Sequence, residues 1–160
     1  MSDEIKTTDT MEIVVDDGMR DVRIRNLKGE QIGLFKFRPT DMGIIDRYNK
    51  LVKDFDAIVK PLADVGIKAD GTAENELDTS KLNEAEQRLY AACDEMFGGN
   101  MSEAFFGKMH PFSPVNGVFF CETAISQVGK FISQQFGQEL KKINTRVERY
   151  TKKYAGKGRA

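Results

Sequence analysis

The feature that most constrains the fold is a stretch without proline that follows Pro114 and reaches about residue 155. Ser113 and Pro114 place a capping residue before a proline at the first helical position, which predicts a long helix over 114–155. A helix of ~40 residues is ~60 Å long, whereas a compact chain of this size has a radius of gyration of ~15 Å. The helix is therefore expected to break near residue 129 or 137, or to project from the body.

The C-terminal half of this stretch carries apolar residues at heptad spacing, which is typical of a helix that packs against another helix. Together with two upstream phenylalanines they form the predicted partner-binding set: Phe119, Phe131, Phe136, Leu140, Ile143, Val147, Tyr150 and Tyr154. The phenylalanines are equally consistent with a core position and with a groove for an amphipathic helix. The seam spans about two and a half heptads, and it permits self-association.

The N-terminal part has the period-two pattern of strands. The segments are Met11–Val15, residues 21–25 and residues 32–37, and turn residues around Gly18 and Gly29 separate them. Over 11–38 this predicts a β-hairpin or a three-stranded meander. A lone hairpin is marginal in water, so it is expected to pack on the helices that follow.

Helical periodicity dominates the rest of the chain and predicts an α+β fold that is mainly α, with the hairpin or meander packed on a helical bundle and a long C-terminal helix. Asn100 and Glu103 resemble a capping box before the third of the predicted helices. The segments expected between hairpin and long helix are a helix over 40–65 capped by Thr40 or Asp41, a flexible acidic loop over 66–79, a helix over 80–97 and a short helix over 101–109.

A length of 160 residues fits one domain over 11–155, with a flexible N-terminus (1–10) and a disordered tail (156–160). The net charge of −1 predicts no general attraction to nucleic acid or membranes. The charge is uneven, however, with an acidic head over residues 1–17 and a basic tail. The basic tail consists of Lys141, Lys142, Arg146, Arg149, Lys152 and Lys153. These residues either bind nucleic acid or form the solvated face of a helix, and the second interpretation is favoured because the tyrosines continue the apolar seam.

Catalytic and metal-binding patterns are not recognisable in the sequence, so no enzyme activity, no metal and no cofactor are expected. The single His110 has no ligand or nucleophile near it in sequence, and Cys93 and Cys121 are expected to be reduced, small core side chains. No apolar run reaches the ~20 residues that span a bilayer, and the acidic N-terminus is unlike a signal peptide. An intracellular, cytoplasmic protein is expected.

Several segments resemble the tail assembly chaperones of long-tailed bacteriophages, in particular those of phages and prophages of Gram-positive bacteria. The resemblance covers nearly the whole chain. The segments are Phe35-Lys36-Phe37-Arg38-Pro39-Thr40-Asp41, Ile44-Ile45-Asp46-Arg47-Tyr48, Met96-Phe97-Gly98, Phe105-Phe106-Gly107 and the basic-aromatic run from Arg146 to Tyr154.

The resemblance implies a non-catalytic chaperone of the bacterial host cytoplasm. Such proteins coat the helical tape measure protein, keep its apolar heptads soluble, recruit tail tube subunits and are absent from the finished virion. Two alternatives stay open from the residues. One is a nucleic-acid-binding or host-directed regulatory protein that uses the basic tail, and the other is a structural tail subunit that is retained in the virion.

Overall fold

The computed structural model describes residues 9–60, residue 62 and residues 79–157, with side chains for all of these except residues 79 and 150–157. The elements in chain order are β1 (Arg20–Arg25), β2 (Gln31–Phe37), α1 (Gly43–Val59), α2 (Thr79–Phe97), α3 (Met101–Phe106), β3 (Pro114–Val115), β4 (Val118–Phe119) and α4 (Phe120–Lys157). This confirms the predicted class: a mainly helical α+β fold with a small antiparallel sheet and a long C-terminal helix.

Strands β1 and β2 form the predicted hairpin, and Asn26 organises its turn. The side-chain oxygen of Asn26 accepts hydrogen bonds from the backbone N–H groups of Lys28 and Glu30, each at 3.0 Å. Gly29 supplies the positive φ of +80° that the turn requires. The alternation along β2 then places Phe35 and Phe37 in the core.

The third strand of a meander is absent from the described chain, so the hairpin is the form that the molecule adopts. Residues 10–19 have no regular secondary structure. Nε of Arg38, just past the end of β2, donates to Oδ2 of Asp17 at 2.8 Å, and an added Cβ on Gly18 would meet Oγ1 of Thr40 at 3.6 Å. These contacts carry the chain past the end of the sheet instead of back along β1.

The core forms where the phenylalanines of β2 meet three helices. Phe97 of α2 presents its ring edge to Phe35 and Phe37, at centroid distances of 5.9 and 6.1 Å. Phe105 of α3 lies 5.7 Å from Phe35, and Phe131 of α4 lies 6.3 Å from Phe37. The edge-to-face contacts of Phe97 and Phe105 stabilise the core beyond the burial of apolar area.

Helix α1 buries Ile44, Leu51 and Ile58 and packs on α2. It begins at Gly43, later than the prediction of 40–65, and its α-helical part ends at Val59. Residues 60 and 62 continue in a tighter helical turn, and residues 61 and 63–65 of the prediction lie outside the described ranges. The backbone N–H of Gly43 donates to the Asp41 carboxylate at 2.9 Å, so Asp41 holds the start of the helix although Met42 occupies the cap position.

Helix α2 matches the prediction of 80–97 to within one residue, whereas α3 ends at Phe106 instead of residue 109. The expected capping box on α3 is wrong, because the side chain of Asn100 makes no capping hydrogen bond. Asp94 at the end of α2 takes that role, since it accepts bonds from the N–H and the hydroxyl of Ser102 at 2.8 and 2.6 Å.

The long helix begins at Phe120, and the residues before it form a small hairpin, so the predicted start at residue 114 is wrong. Asn116 and Gly117 have φ values of 55° and 83°, which is the two-residue turn that an Asn-Gly pair favours. The helix then runs unbroken through Gly129 and Gly137. It includes residues 156 and 157 of the tail predicted to be disordered.

Three predictions fall largely outside the described residues. They are the acidic loop over 66–79, apart from its last residue, most of the N-terminus over 1–10, and the end of the chain from residue 158.

Candidate partner-binding surface

The long helix α4 consists of a buried half and an exposed half. Cys121, Ala124, Ile125, Val128 and Ile132 are buried in the core. From Gly137 to Arg149, every residue is exposed. At a rise of ~1.5 Å per residue, the helix from residue 137 to its end is ~30 Å long. Of the two expectations for this helix, a break or a projecting end, the structure shows the projecting end.

The predicted apolar seam is open on this projecting half. Leu140, Ile143 and Val147 are 50%, 42% and 50% exposed, and they follow one another at the spacing of a helix face that packs on a second helix. Tyr150 and Tyr154 continue the same spacing within α4, but their side chains lie outside the description. The structure therefore brings three of the predicted partner-binding residues together on one accessible surface.

The three phenylalanines of the predicted set belong to the body instead. Phe119, Phe131 and Phe136 are partly buried and pack against the core. The ring of Phe119 meets Phe112 edge-on at 5.5 Å. Their contribution to a partner would be limited to the part of each ring that stays accessible, so the aromatic group is mainly part of the fold.

The residues of the basic tail lie on the face of α4 that is opposite the apolar seam. Lys141, Lys142, Arg146 and Arg149 are all exposed, and at ~3.6 residues per turn they lie mainly on the side of α4 opposite Leu140. Nζ of Lys142 is 3.6 Å from Oε1 of Glu139, an exposed pair of small energetic weight. Lys152 and Lys153 lie on the same helix, with side chains outside the description.

The acidic head pairs with the start of β1. The Asp16 carboxylate accepts a hydrogen bond from Arg20 at 3.0 Å. This bond is the main cause of a raised pKa of the Arg20 guanidinium, and Glu139 of α4 adds to it through its charge. The same hydrogen bond lowers the pKa of Asp16. Acidic residues before β1 therefore lie near the point where α4 leaves the body.

His110 belongs to a hydrogen-bonded group that the sequence did not reveal. Its Nδ1 accepts the N–H of Phe112 at 3.1 Å, so Nε2 carries the proton and donates to Glu86 at 3.1 Å. The other carboxylate oxygen of Glu86 accepts the hydroxyl of Tyr90 at 2.7 Å. Both ring nitrogens are engaged within the fold, so His110 ties the loop after α3 to α2. The spacing of Glu86 and Tyr90 on one helix face was the available signal.

The two cysteines are fully buried, and Cys121 affects the ionisation of Cys93. Burial, with a smaller contribution from Cys121, raises the pKa of the Cys93 thiol to about 12. Burial, reinforced by Glu122, raises the pKa of Cys121 to about 12. A thiol is a nucleophile only as the thiolate, so neither group is activated near neutral pH. The prediction of small core side chains agrees with this environment.

Within 9–60, 62 and 79–157, no three histidine, cysteine or carboxylate side chains gather in a way that could hold a metal ion. No helix there combines the length and the apolar character needed to cross a membrane.

Comparisons with protein-family models, with curated proteins and with solved structures gave no match to this chain. Its own residues therefore carry the functional argument.

Proposed function

We propose that this protein is a non-catalytic assembly chaperone that binds the helical tape measure protein of a long-tailed bacteriophage. In this role it keeps the tape measure protein soluble in the host cytoplasm until tail tube subunits displace it. The observation that carries the proposal is the exposed seam of Leu140, Ile143 and Val147 on a helix that leaves the body. An apolar heptad seam is the surface that covers a second helix with the same repeat.

The size of the seam favours weak binding that is repeated many times. Full burial of one such side chain contributes ~1.5–3 kcal/mol, and these residues already hide about half of their surface. Three of them supply roughly 2–4 kcal/mol, which is at or below the low end of the ~4–15 kcal/mol that association costs. Affinity must come from more of α4 and from several copies along one partner. Such binding suits a chaperone that is later displaced.

Co-expression with the tape measure protein tests the proposal. The informative variant is Leu140→Glu with Val147→Glu, which puts two charges on the seam. The matched control is Gln138→Glu with Thr145→Glu, which adds the same charge on the other side of the exposed helix. We expect a soluble complex with the control and with the unaltered chain, and none with the seam variant. A tape measure protein that gains no solubility from the unaltered chain, or equal binding by both variants, would refute the proposal.

A second candidate function is nucleic-acid binding by the basic face. The observation in its favour is the exposure of Lys141, Lys142, Arg146 and Arg149 along one helix. The affinity of nucleic-acid binding that rests on such charges falls steeply as the salt concentration rises. Filter binding across a salt series separates the two functions, since the chaperone proposal predicts weak retention that ignores salt. Mass spectrometry of purified virions addresses the remaining alternative, because a retained structural subunit would be present at a stoichiometric copy number.

A further inference from the structure

We propose that residues Met11–Val15 of one copy add as a third strand to the outer edge of β1 in a second copy, and that two copies pair by exchanging these segments. The proposal concerns self-assembly and does not rest on the proposed function. It assigns a role to the segment that the sequence predicts as a strand and that the single chain leaves without a partner strand.

The donor segment, Met11–Val15, is largely apolar, and its apolar side chains are exposed to solvent. Met11, Ile13, Val14 and Val15 are 96%, 95%, 91% and 75% exposed. Residues 10–19 have no regular secondary structure, although the composition of the segment favours a strand. A stretch with high strand propensity and almost complete exposure is the kind of segment that pairs with the edge of another sheet.

In the described chain this segment does not pair with its own β1. A return along β1 would need a tight turn over residues 16–19. There, the side chain of Asp17 is bound to Arg38, and the N–H groups of Gly18 and Met19 donate to the carboxylates of Asp16 and Asp17 at 2.9 and 3.1 Å. These contacts occupy residues 16–19, and the segment before them stays exposed, where a neighbouring copy can reach it.

The acceptor is the outer edge of β1. The opposite edge of the sheet is closed, because Asn100 accepts the N–H of Lys36 at 2.7 Å and donates to the carbonyl of Leu34 at 3.0 Å. Lys36 pairs with Asp21, and Leu34 pairs with Arg23. In an antiparallel ladder, two opposite residues either both point their N–H and carbonyl groups towards the partner strand or both point them away from it. The N–H and carbonyl groups of Asp21 and Arg23 therefore face outward. Among the described strands, β1 pairs only with β2.

One antiparallel register satisfies both faces of the sheet. It places Ile13 beside Val22 and Met11 beside Ile24, on the face where Val22 and Ile24 pack against the core. The alternation of a strand then sends Glu12 and Val14 to the solvent face. A slip by one residue would put Glu12 on the core face instead, so the apolar pattern selects this register.

The charges agree with the same pairing. The register sets Glu12 opposite Arg23, whose side chain is exposed. Opposite charges across strands stabilise a pair. Because each copy has one donor and one acceptor, the exchange closes as a two-fold dimer. A second copy therefore fits this edge in register and in charge.

Sedimentation of the full-length chain over a concentration series tests the proposal with two adjacent substitutions. Ile13→Lys puts a charge on the core face of the added strand, and we expect it to weaken dimerisation by about 100-fold or more, since both symmetric sites lose an apolar contact. The matched control is Val14→Lys, which places the same charge on the solvent face beside Asp21, so the dimer should persist. A chain that stays monomeric at all concentrations, or equal effects of the two variants, would overturn the proposal.

Disulfide trapping between separately made variants identifies the contact itself. Ile13 and Val22 would form a pair without direct backbone hydrogen bonds, the kind whose side chains approach most closely, so Ile13→Cys mixed with Val22→Cys should cross-link. Val14→Cys mixed with Val22→Cys is the control, since its side chains lie on opposite faces. The native cysteines are fully buried and do not compete. Cross-linking in the control alone, or a dimer that is lost with Leu140→Glu and not with Ile13→Lys, would place the interface elsewhere.

Discussion

Single residues set the tightest contacts in this molecule, and Gly33 is the clearest case. A Cβ added at Gly33 of β2 would lie 1.9 Å from the carbonyl oxygen of Ala104 and 2.6 Å from its carbonyl carbon. Both atoms belong to the backbone of α3, which cannot rotate away as a side chain can. The absence of a side chain at Gly33 is what lets α3 pack directly on the strand.

We expect Gly33→Ala to lower the free energy of unfolding by about 1–3 kcal/mol, because α3 must move and the packing around it must adjust. Denaturant unfolding measures this. The matched control is Gly137→Ala, whose added Cβ meets no atom within 4 Å and which should stabilise the exposed helix by roughly 0.5–1 kcal/mol. Equal stabilities for the Gly33 variant and the unaltered chain would show that α3 does not pack on β2 as described.

The side chain of Asn100 closes the edge of β2 because an amide offers a donor and an acceptor together. Asn100→Asp keeps the acceptor for Lys36 but sets a carboxylate oxygen against the carbonyl of Leu34. We expect the free energy of unfolding at neutral pH to fall by about 1–3 kcal/mol. Asn49→Asp, an equivalent change on the exposed side of α1, should alter it by less than ~0.5 kcal/mol. Indistinguishable losses from the two changes would argue against the edge contact.

At the scale of helices and strands, local sequence patterns predict most of the elements. Helices α1 and α2 and the first hairpin follow from apolar periodicity and local turn residues, and these were predicted. The capping box at Asn100 failed because a distant strand offered its side chain better partners, which no local pattern reveals. The predicted break in α4 does not occur, because a glycine costs only ~1 kcal/mol in a helix. The buried residues before Gly137 stabilise the helix by more than this cost.

The β3–β4 hairpin was missed because Ser113 and Pro114 also fit a helix start, while the Asn116-Gly117 signal was available. We expect Gly117→Ala to destabilise the protein by about 1 kcal/mol, since a side chain is strained at a φ of 83°. Thermal unfolding followed by circular dichroism measures the loss. Lys108→Ala, an exposed change before this hairpin, serves as the control. A variant as stable as the unaltered chain would mean that the turn adapts without strain.

The seam on α4 was predicted from its spacing, but its accessibility was not, because spacing alone does not tell a core face from an open one. The exposure of residues 137–149 leads us to expect that a chain ending at Lys142 unfolds with a free energy within ~0.5 kcal/mol of the full chain. A chain ending at Gly129 lacks Ile132 from the core and should not fold cooperatively. A large loss of stability in the chain that ends at Lys142 would show that the exposed half of α4 contacts the body.

At the scale of the whole molecule, the buried thiols make stability depend on alkaline pH. A thiol has a reference pKa of 9.0, whereas Cys93 and Cys121 have pKa values raised to about 12, mainly by burial. Between these values the folded chain binds protons that the unfolded chain has released. Their contribution to stability is therefore fully present below about pH 9 and is lost as the pH rises towards about 12.

Unfolding midpoints from about pH 8 to about pH 10.5 measure this dependence. We expect the Cys93→Ala, Cys121→Ala double variant to lose stability less steeply with pH than the unaltered chain, although its stability at neutral pH is lower because of the cavities. The slope is the informative quantity, and the neutral-pH value is the internal reference. Parallel slopes for the two proteins would show that the thiols titrate normally in the folded state.

The continuity of α4 has a consequence for how its exposed half behaves before any partner arrives. Helix formation begins with a costly first turn, so a short free helix is marginal in water. In α4 that first turn is supplied by the buried residues from Cys121 to Ile132, so the outer half only propagates an existing helix. It can fray from its far end and re-form without a new nucleation event. The exposed half of α4 is therefore already helical before a partner binds, and the number of residues in helical form depends on temperature and on the bound partner.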